Sequence, residues 1–261
     1  MRHNKLLLAV LPIVAILLGW EVLARVELIN PGLFPPPSVE IAELAALLKE
    51  GLPVRSTLLM HLGTTLWRVL LSTGLGIIIG VLLGLLMGVN RLAFAFFDPL
   101  ITVLMPIPGI ALAPLFIVWF GFGDFTIVSL GVLSAFFPVV YTTVSGVRSV
   151  DHQLVRAAEM MGASRLGVLR SVYLPWAATY VFNGVKLGLA RCWMTVVAVE
   201  FIAATNWGLG YMIWNAAEYL RADVVYGGIF LLIIIYFILE RTLINTLENR
   251  TIARWGMIRQ G

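Results

Sequence analysis

Residues 156–175 read Arg-Ala-Ala-Glu-Met-Met-Gly, then nine residues, then Val-Tyr-Leu-Pro. This short polar segment is caught between two long apolar stretches. Asp151 is placed to N-cap a helix that starts at His152. Gly162 permits the left-handed turn that ends it. Ser164 caps a second short helix, and Pro175 marks the approach to the next apolar run. The expected product is a helix-turn-helix hairpin over about 151–172, too polar to enter lipid. Leu154, Ala157, Ala158 and Met161 recur at three- and four-residue spacing and form one small apolar face that fits a groove on a partner. Arg156 and Glu159 stand at i,i+3, within reach of an ion pair. Periodicity alone favours an ordinary amphipathic cytoplasmic loop.

Around the hairpin the chain is oily. It has 261 residues, 60% hydrophobic and 12% charged, with a mean hydropathy of +0.96. A soluble domain is about a quarter charged. These values describe an all-α polytopic membrane protein, and the alternating strands of an outer-membrane barrel are absent. A span needs about 20 mostly apolar residues. Six segments meet this, at about 6–24, 65–89, 99–120, 125–147, 177–203 and 224–243. The first, behind Arg2, His3 and Lys5, lacks a small-x-small cleavage site and reads as a signal anchor. The whole of 1–261 is expected to be one transmembrane domain with its core over about 60–245. Pro31 and Pro35 to Pro37 suggest an extended external loop over 30–40, with a short surface helix over Leu44 to Leu48.

Basic residues set the orientation. With the N-terminus inside, the cytoplasmic set is Arg2, Lys5, Arg91, Arg148, Arg156, Arg165, Arg170, Arg241, Arg250, Arg254 and Arg259. The external set is Arg25, Lys49, Arg55 and Arg221. Arg68, Lys186 and Arg191 lie within spans or at their ends. The bias places both termini and the hairpin in the cytoplasm. The modest net charge of +4 is topological and does not point to nucleic acid.

Several spans carry unusual residues. Gly76, Gly80, Gly84 and Gly88 line one face of the second span, suited to close packing within the subunit or across a dimer. Pro106, Pro108 and Pro114 break the third. The first two free the carbonyls of Thr102 and Leu104, which must face protein or a water-filled cavity. Glu200 lies deep in the fifth span, placed to hydrogen-bond the Gly-rich segment that follows, in a role that supports a gate. Lys186 snorkels toward headgroups; Arg191 suits an anion pathway. The segment after Gly208 is amphipathic, with Trp207, Tyr211, Trp214 and Tyr219 for a membrane interface.

Ala157, Ala158, Gly162, Val172, Leu174 and Pro175 fall in register with the EAA motif of ABC-importer permeases. Longer stretches resemble the nitrate/sulfonate/taurine branch of that family. They are Pro35 to Pro37, His61 with Arg68, Asp98-Pro99, Pro106-Ile-Pro108, Pro114-Leu115 and Trp119 to Gly123. Phe137-Pro138, Gly146-Val147, Glu200, Gly208 to Tyr211 and Asp223 to Val225 complete the set. The resemblance covers about 30–250. One departure stands out: the family's first EAA residue is Glu, and here it is Arg156.

The resemblance implies the type I ABC-importer permease fold. It implies a cytoplasmic coupling helix at Arg156, Ala157, Ala158, Glu159, Gly162, Leu174 and Pro175. It implies a translocation pathway or gate near Pro106, Pro108, Gly109, Trp119, Glu200, Gly208 and Gly210. The implied partners are a second copy of the chain, two ATPase subunits, a periplasmic or lipid-anchored solute-binding protein, and membrane lipid. The implied cargo is taurine, another sulfonate or nitrate, with a vitamin or vitamin precursor as the alternative. Lys5, Lys49 and Lys186 are the only lysines, and none closes a G-x-x-x-x-G-K-[ST] loop. ATP and Mg are therefore expected on the partner ATPase, and no cofactor or metal on this chain. A stand-alone secondary transporter would want an inverted repeat, and none is evident.

Overall fold

The four-residue glycine repeat of the second span is answered by a four-residue repeat on another helix, and that match assembles the bundle. The computed structural model describes residues 2–42 and 53–250. Its helices that lie wholly within those residues begin with α1 (Arg2–Arg25), α2 (Pro53–Val89), α3 (Arg91–Leu104), α4 (Ala113–Phe120) and α5 (Asp124–Arg148). They continue as α6 (His152–Met160), α7 (Arg165–Val168), α8 (Leu174–Ala203), α9 (Leu209–Glu218) and α10 (Ala222–Arg250). A Cβ on Gly76, Gly80, Gly84 or Gly88 would come within 2.6, 2.9, 2.6 and 2.5 Å of Ala135, Val139, Thr143 and Val147 of α5. The α2 and α5 backbones therefore close together over about 18 Å of helix, so the seam lies within the subunit. In lipid such packing takes the place of the hydrophobic effect. On its other side α5 meets α8, where Gly188 lies against the Ala135 carbonyl. The three-helix core closes around Val69, Leu130, Ala135, Leu189, Val196 and Val199, all buried.

Helices α2, α5 and the Ala222–Leu243 part of α10 are each long and apolar enough to cross a membrane. The third expected span is not one helix. α3 and the Gly109–Phe120 segment are bent by 91° at the break between them. Pro106 and Pro108 cannot donate to a helical ladder, so the chain turns and restarts with a 3-10 turn at Gly109–Leu112. The Leu104 carbonyl, expected to be free, accepts from Ile107 N at 3.1 Å: the turn closes on it.

Two boundaries also differ from expectation. α2 starts at Pro53, well before 65. Residues 30–40 are not extended, because Leu33 N and Phe34 N donate to the Asn30 carbonyl at 3.0 and 2.8 Å. Glu21 on α1 then pins the segment, accepting from Ser38 N at 3.0 Å and Ser38 Oγ at 2.6 Å. Leu44 to Leu48 lie outside the described residues.

Candidate functional site

The hairpin is built by local chemistry. The Asp151 carboxylate accepts from Gln153 N at 2.8 Å and caps α6. At the other end Gly162 takes φ 85°, a left-handed conformation that strains any side chain. Gly162 N donates to the Glu159 carbonyl at 2.9 Å, and Ala163 N to that of Ala158 at 3.1 Å. That pair of bonds is a Schellman ending. Ser164 Oγ then accepts from Gly167 N at 3.2 Å and starts α7. A π-turn over Leu169–Tyr173 leads directly into α8. Pro175 stands in the first turn of α8; it has no N–H to donate to the turn before it, and that turn is the π-turn.

Two expectations are corrected. Ala158 does not belong to the outward face; it is buried, as is Val168 of α7. The exposed apolar set is Leu154, Met160, Met161 and Leu166, the two methionines at 83% and 82%. Arg156 and Glu159 are both exposed and are not among the ion pairs of the described residues. An exposed i,i+3 pair with the cation first gains little against side-chain entropy.

A second cluster ties four parts of the chain together at the far ends of α2 and α8. Glu200 is fully buried and accepts from Arg68 Nη1 at 2.7 Å, Thr65 Oγ1 at 2.9 Å and Gly210 N at 3.0 Å. The Arg68 guanidinium also holds Asp124 at the start of α5, through Nε at 2.9 Å, and the Trp207 carbonyl at 2.8 Å. Thr65 Oγ1 takes Leu209 N at 2.8 Å, and His61 Nδ1 lies 3.0 Å from Gly208 N. Gly208 has φ 144°, and a Cβ there would lie 2.6 Å from the Glu200 carboxyl carbon. A side chain at 208 or 210 would therefore push the loop off the carboxylate. Charges taken out of water need this density of partners.

The broken span contributes differently. Pro106 and Pro108 are exposed. Gly109 sits against Ser134 and Thr195, themselves hydrogen-bonded at 2.8 Å. Trp119 lies on an exposed face beside Phe116.

With this geometry in view, the comparisons with known proteins are informative. The family model described as binding-protein-dependent transport system inner membrane component matches residues 76–249. The chain belongs to that family. It is 36% identical over 237 residues to the taurine transport system permease protein TauC of Escherichia coli (strain K12), covering 91% of this chain and 86% of that one. It is 29% identical over 240 residues to the putative aliphatic sulfonates transport permease SsuC of Bacillus subtilis (strain 168), covering 90% and 83%. Among solved structures, an inward-facing form of the MetNI methionine ABC transporter matches with a TM-score of 0.65 at 20% identity, covering 76% of this chain and 99% of that one. The chain is thus the permease subunit of an ABC importer, embedded in the membrane, with the type I permease fold. Permeases of this family work with an ATPase and a solute-binding protein.

In this permease the sequence-expected residues separate into distinct places. Arg156, Ala157, Ala158, Glu159 and Gly162 share the hairpin, and Leu174 and Pro175 follow at the head of α8. Glu200, Gly208 and Gly210 meet in the buried cluster. Pro106, Pro108, Gly109 and Trp119 belong to the broken span and make no polar contact with that cluster. Sequence reasoning missed Thr65 and Asp124, and took Arg68 only as one member of a pattern. The available signal was that His61, Thr65 and Arg68 stand at i, i+4 and i+7, a polar face on an otherwise apolar helix.

Proposed function

We propose that this permease carries a small sulfonate, with taurine its first candidate, inward across the cytoplasmic membrane. The observation that carries this is the 36% identity to a taurine permease over 91% of the chain. Two copies enclose one pathway, and the whole chain acts as one transmembrane domain. Both termini and the 151–172 hairpin face the cytoplasm, as the distribution of Arg and Lys favours. Each hairpin lays Met160, Met161, Leu154 and Leu166 into a groove on one of two ATPase subunits, which hold ATP and Mg. Arg156 and Glu159 flank that contact with opposite charges. Gly162 fixes the angle between the two short helices, and the run from α7 into α8 passes hairpin motion to the bundle.

The Arg68–Glu200 cluster supports the outer gate. It holds the Trp207–Gly210 loop, and so α9, onto α2 and α8 while a periplasmic or lipid-anchored binding protein docks nearby. ATP binding draws the hairpins together and turns the pathway outward; hydrolysis resets it. The test is uptake of labelled taurine into proteoliposomes holding the permease, its ATPase and its loaded binding protein. ATP-dependent uptake, competed by other sulfonates, is expected. Uptake of nitrate or a vitamin precursor with none of taurine overturns the substrate reading.

A further inference from the structure

Arg191 lies in the middle of α8 yet is exposed. Its depth can be read from its neighbours. Gly188, one turn before it, lies against Ala135, and Thr195, one turn after it, bonds Ser134. Both partners sit at the centre of α5, Asp124–Arg148, a helix apolar enough to span the membrane. Arg191 is therefore near the mid-plane of the bilayer. A guanidinium there does not face lipid; such residues turn to the bundle interior or a water-filled cavity. No carboxylate among the described residues pairs with it. Its Nη1 points at the Met105 carbonyl, 3.4 Å away, at the break of the third span. Asn183 is exposed two turns earlier on the same face of α8, and Leu187 and Met194 fill the face between and beyond.

A cation and a broken helix thus meet on one exposed face at mid-membrane depth, with an amide about 12 Å further along that face. We propose that Arg191 lines the translocation cavity formed with a second copy and contacts the sulfonate group of the passing substrate. This rests on the sulfonate reading above. The planar guanidinium donates two parallel hydrogen bonds to an oxyanion, and the Met105 carbonyl beside it orients the fork while the cavity is empty. The residue is a specificity element: it favours anions over neutral solutes of equal size. The binding protein still selects the ligand.

The experiment uses the full importer in proteoliposomes, with labelled taurine as probe and ATPase co-purification as the assembly control. Arg191→Lys keeps the charge but loses the planar fork, and should retain more uptake than Arg191→Met. Arg191→Met should lower uptake about ten-fold or more, a floor set by the loss of even one of its two charged hydrogen bonds, with assembly intact. Arg191→Cys in a Cys192→Ser background should react with water-soluble thiol reagents. A cationic reagent should then restore uptake about ten-fold above an anionic one of similar size. Equal uptake after the two reagents, or a position inert in every nucleotide state, overturns the proposal. So does loss of assembly in both Arg191→Met and Arg191→Cys with Arg191→Lys intact, which would assign the arginine to a carboxylate of the second copy. If the unmodified importer moves no taurine at all, it is the substrate reading that fails.

Discussion

Removing Arg68 should harm this permease more than neutralising Glu200, although the two residues form one ion pair. Arg68→Met leaves a carboxylate with no exposure, two neutral donors and no cation. An uncompensated buried charge costs about 3–5 kcal/mol. In Glu200→Gln the guanidinium keeps Asp124 and the Trp207 carbonyl. Asp124 is also half in solvent, its side chain 55% exposed. The loss there is that of a charged hydrogen bond, about 1.5–3 kcal/mol. At about 2–4 °C per kcal/mol for a chain of this size, Arg68→Met lowers Tm by roughly 6–20 °C and Glu200→Gln by about half as much. The double variant Arg68→Met/Glu200→Gln removes both charges and should melt above Arg68→Met alone. Thermal unfolding in detergent, followed by loss of the monodisperse peak, measures all three. Equal Tm for the two single variants, or a double variant that is the sum of both, would refute the reasoning that an unpaired buried charge dominates.

Other positions offer sharper contrasts. Gly84→Leu must push Thr143 aside, since even a Cβ would lie 2.6 Å from it, and should cost about 1–3 kcal/mol or more by overpacking. Gly74→Ala, with nothing within 4 Å, should be neutral or raise Tm slightly, as measured in the same melt. Gly162→Val forces a β-branched side chain into φ 85°, at about 1–2 kcal/mol; membrane insertion should persist while ATPase co-purification is lost. Met160→Asp with Met161→Asp should abolish ATPase co-purification without moving Tm, because both side chains are exposed in the isolated subunit.

How far the sequence could be read depended on the distance over which each interaction acts. The hairpin was legible because its determinants are local: Asp151, Gly162 and Ser164 each act within a turn of themselves. The glycine seam was half legible. The four-residue repeat on α2 predicted close packing, but Ala135, Val139, Thr143 and Val147 had to be seen before the seam could be placed inside the subunit. The prolines predicted a broken span. They did not give its 91° bend, nor the turn in which Ile107 recaptures the Leu104 carbonyl. The buried cluster was least legible. Arg68 finds Asp124 at a separation of 56 residues and Glu200 at 132, and nothing local to Arg68 names either partner. Ala158 was misplaced for a related reason. The periodicity of α6 defines an apolar stripe, but it does not show that Ala158 is buried by residues beyond the helix.

A site-directed crosslink shows whether the hairpin touches the ATPase. Met161→Cys in the Cys192→Ser background, in inside-out vesicles with the ATPase bound, should form a crosslinked permease–ATPase band. The yield should change when ATP is trapped. The same variant in intact cells should resist impermeant thiol reagents. Labelling of Met161→Cys from outside, or a complex that holds the ATPase with no crosslink from Met161→Cys or Met160→Cys in any nucleotide state, would contradict the account.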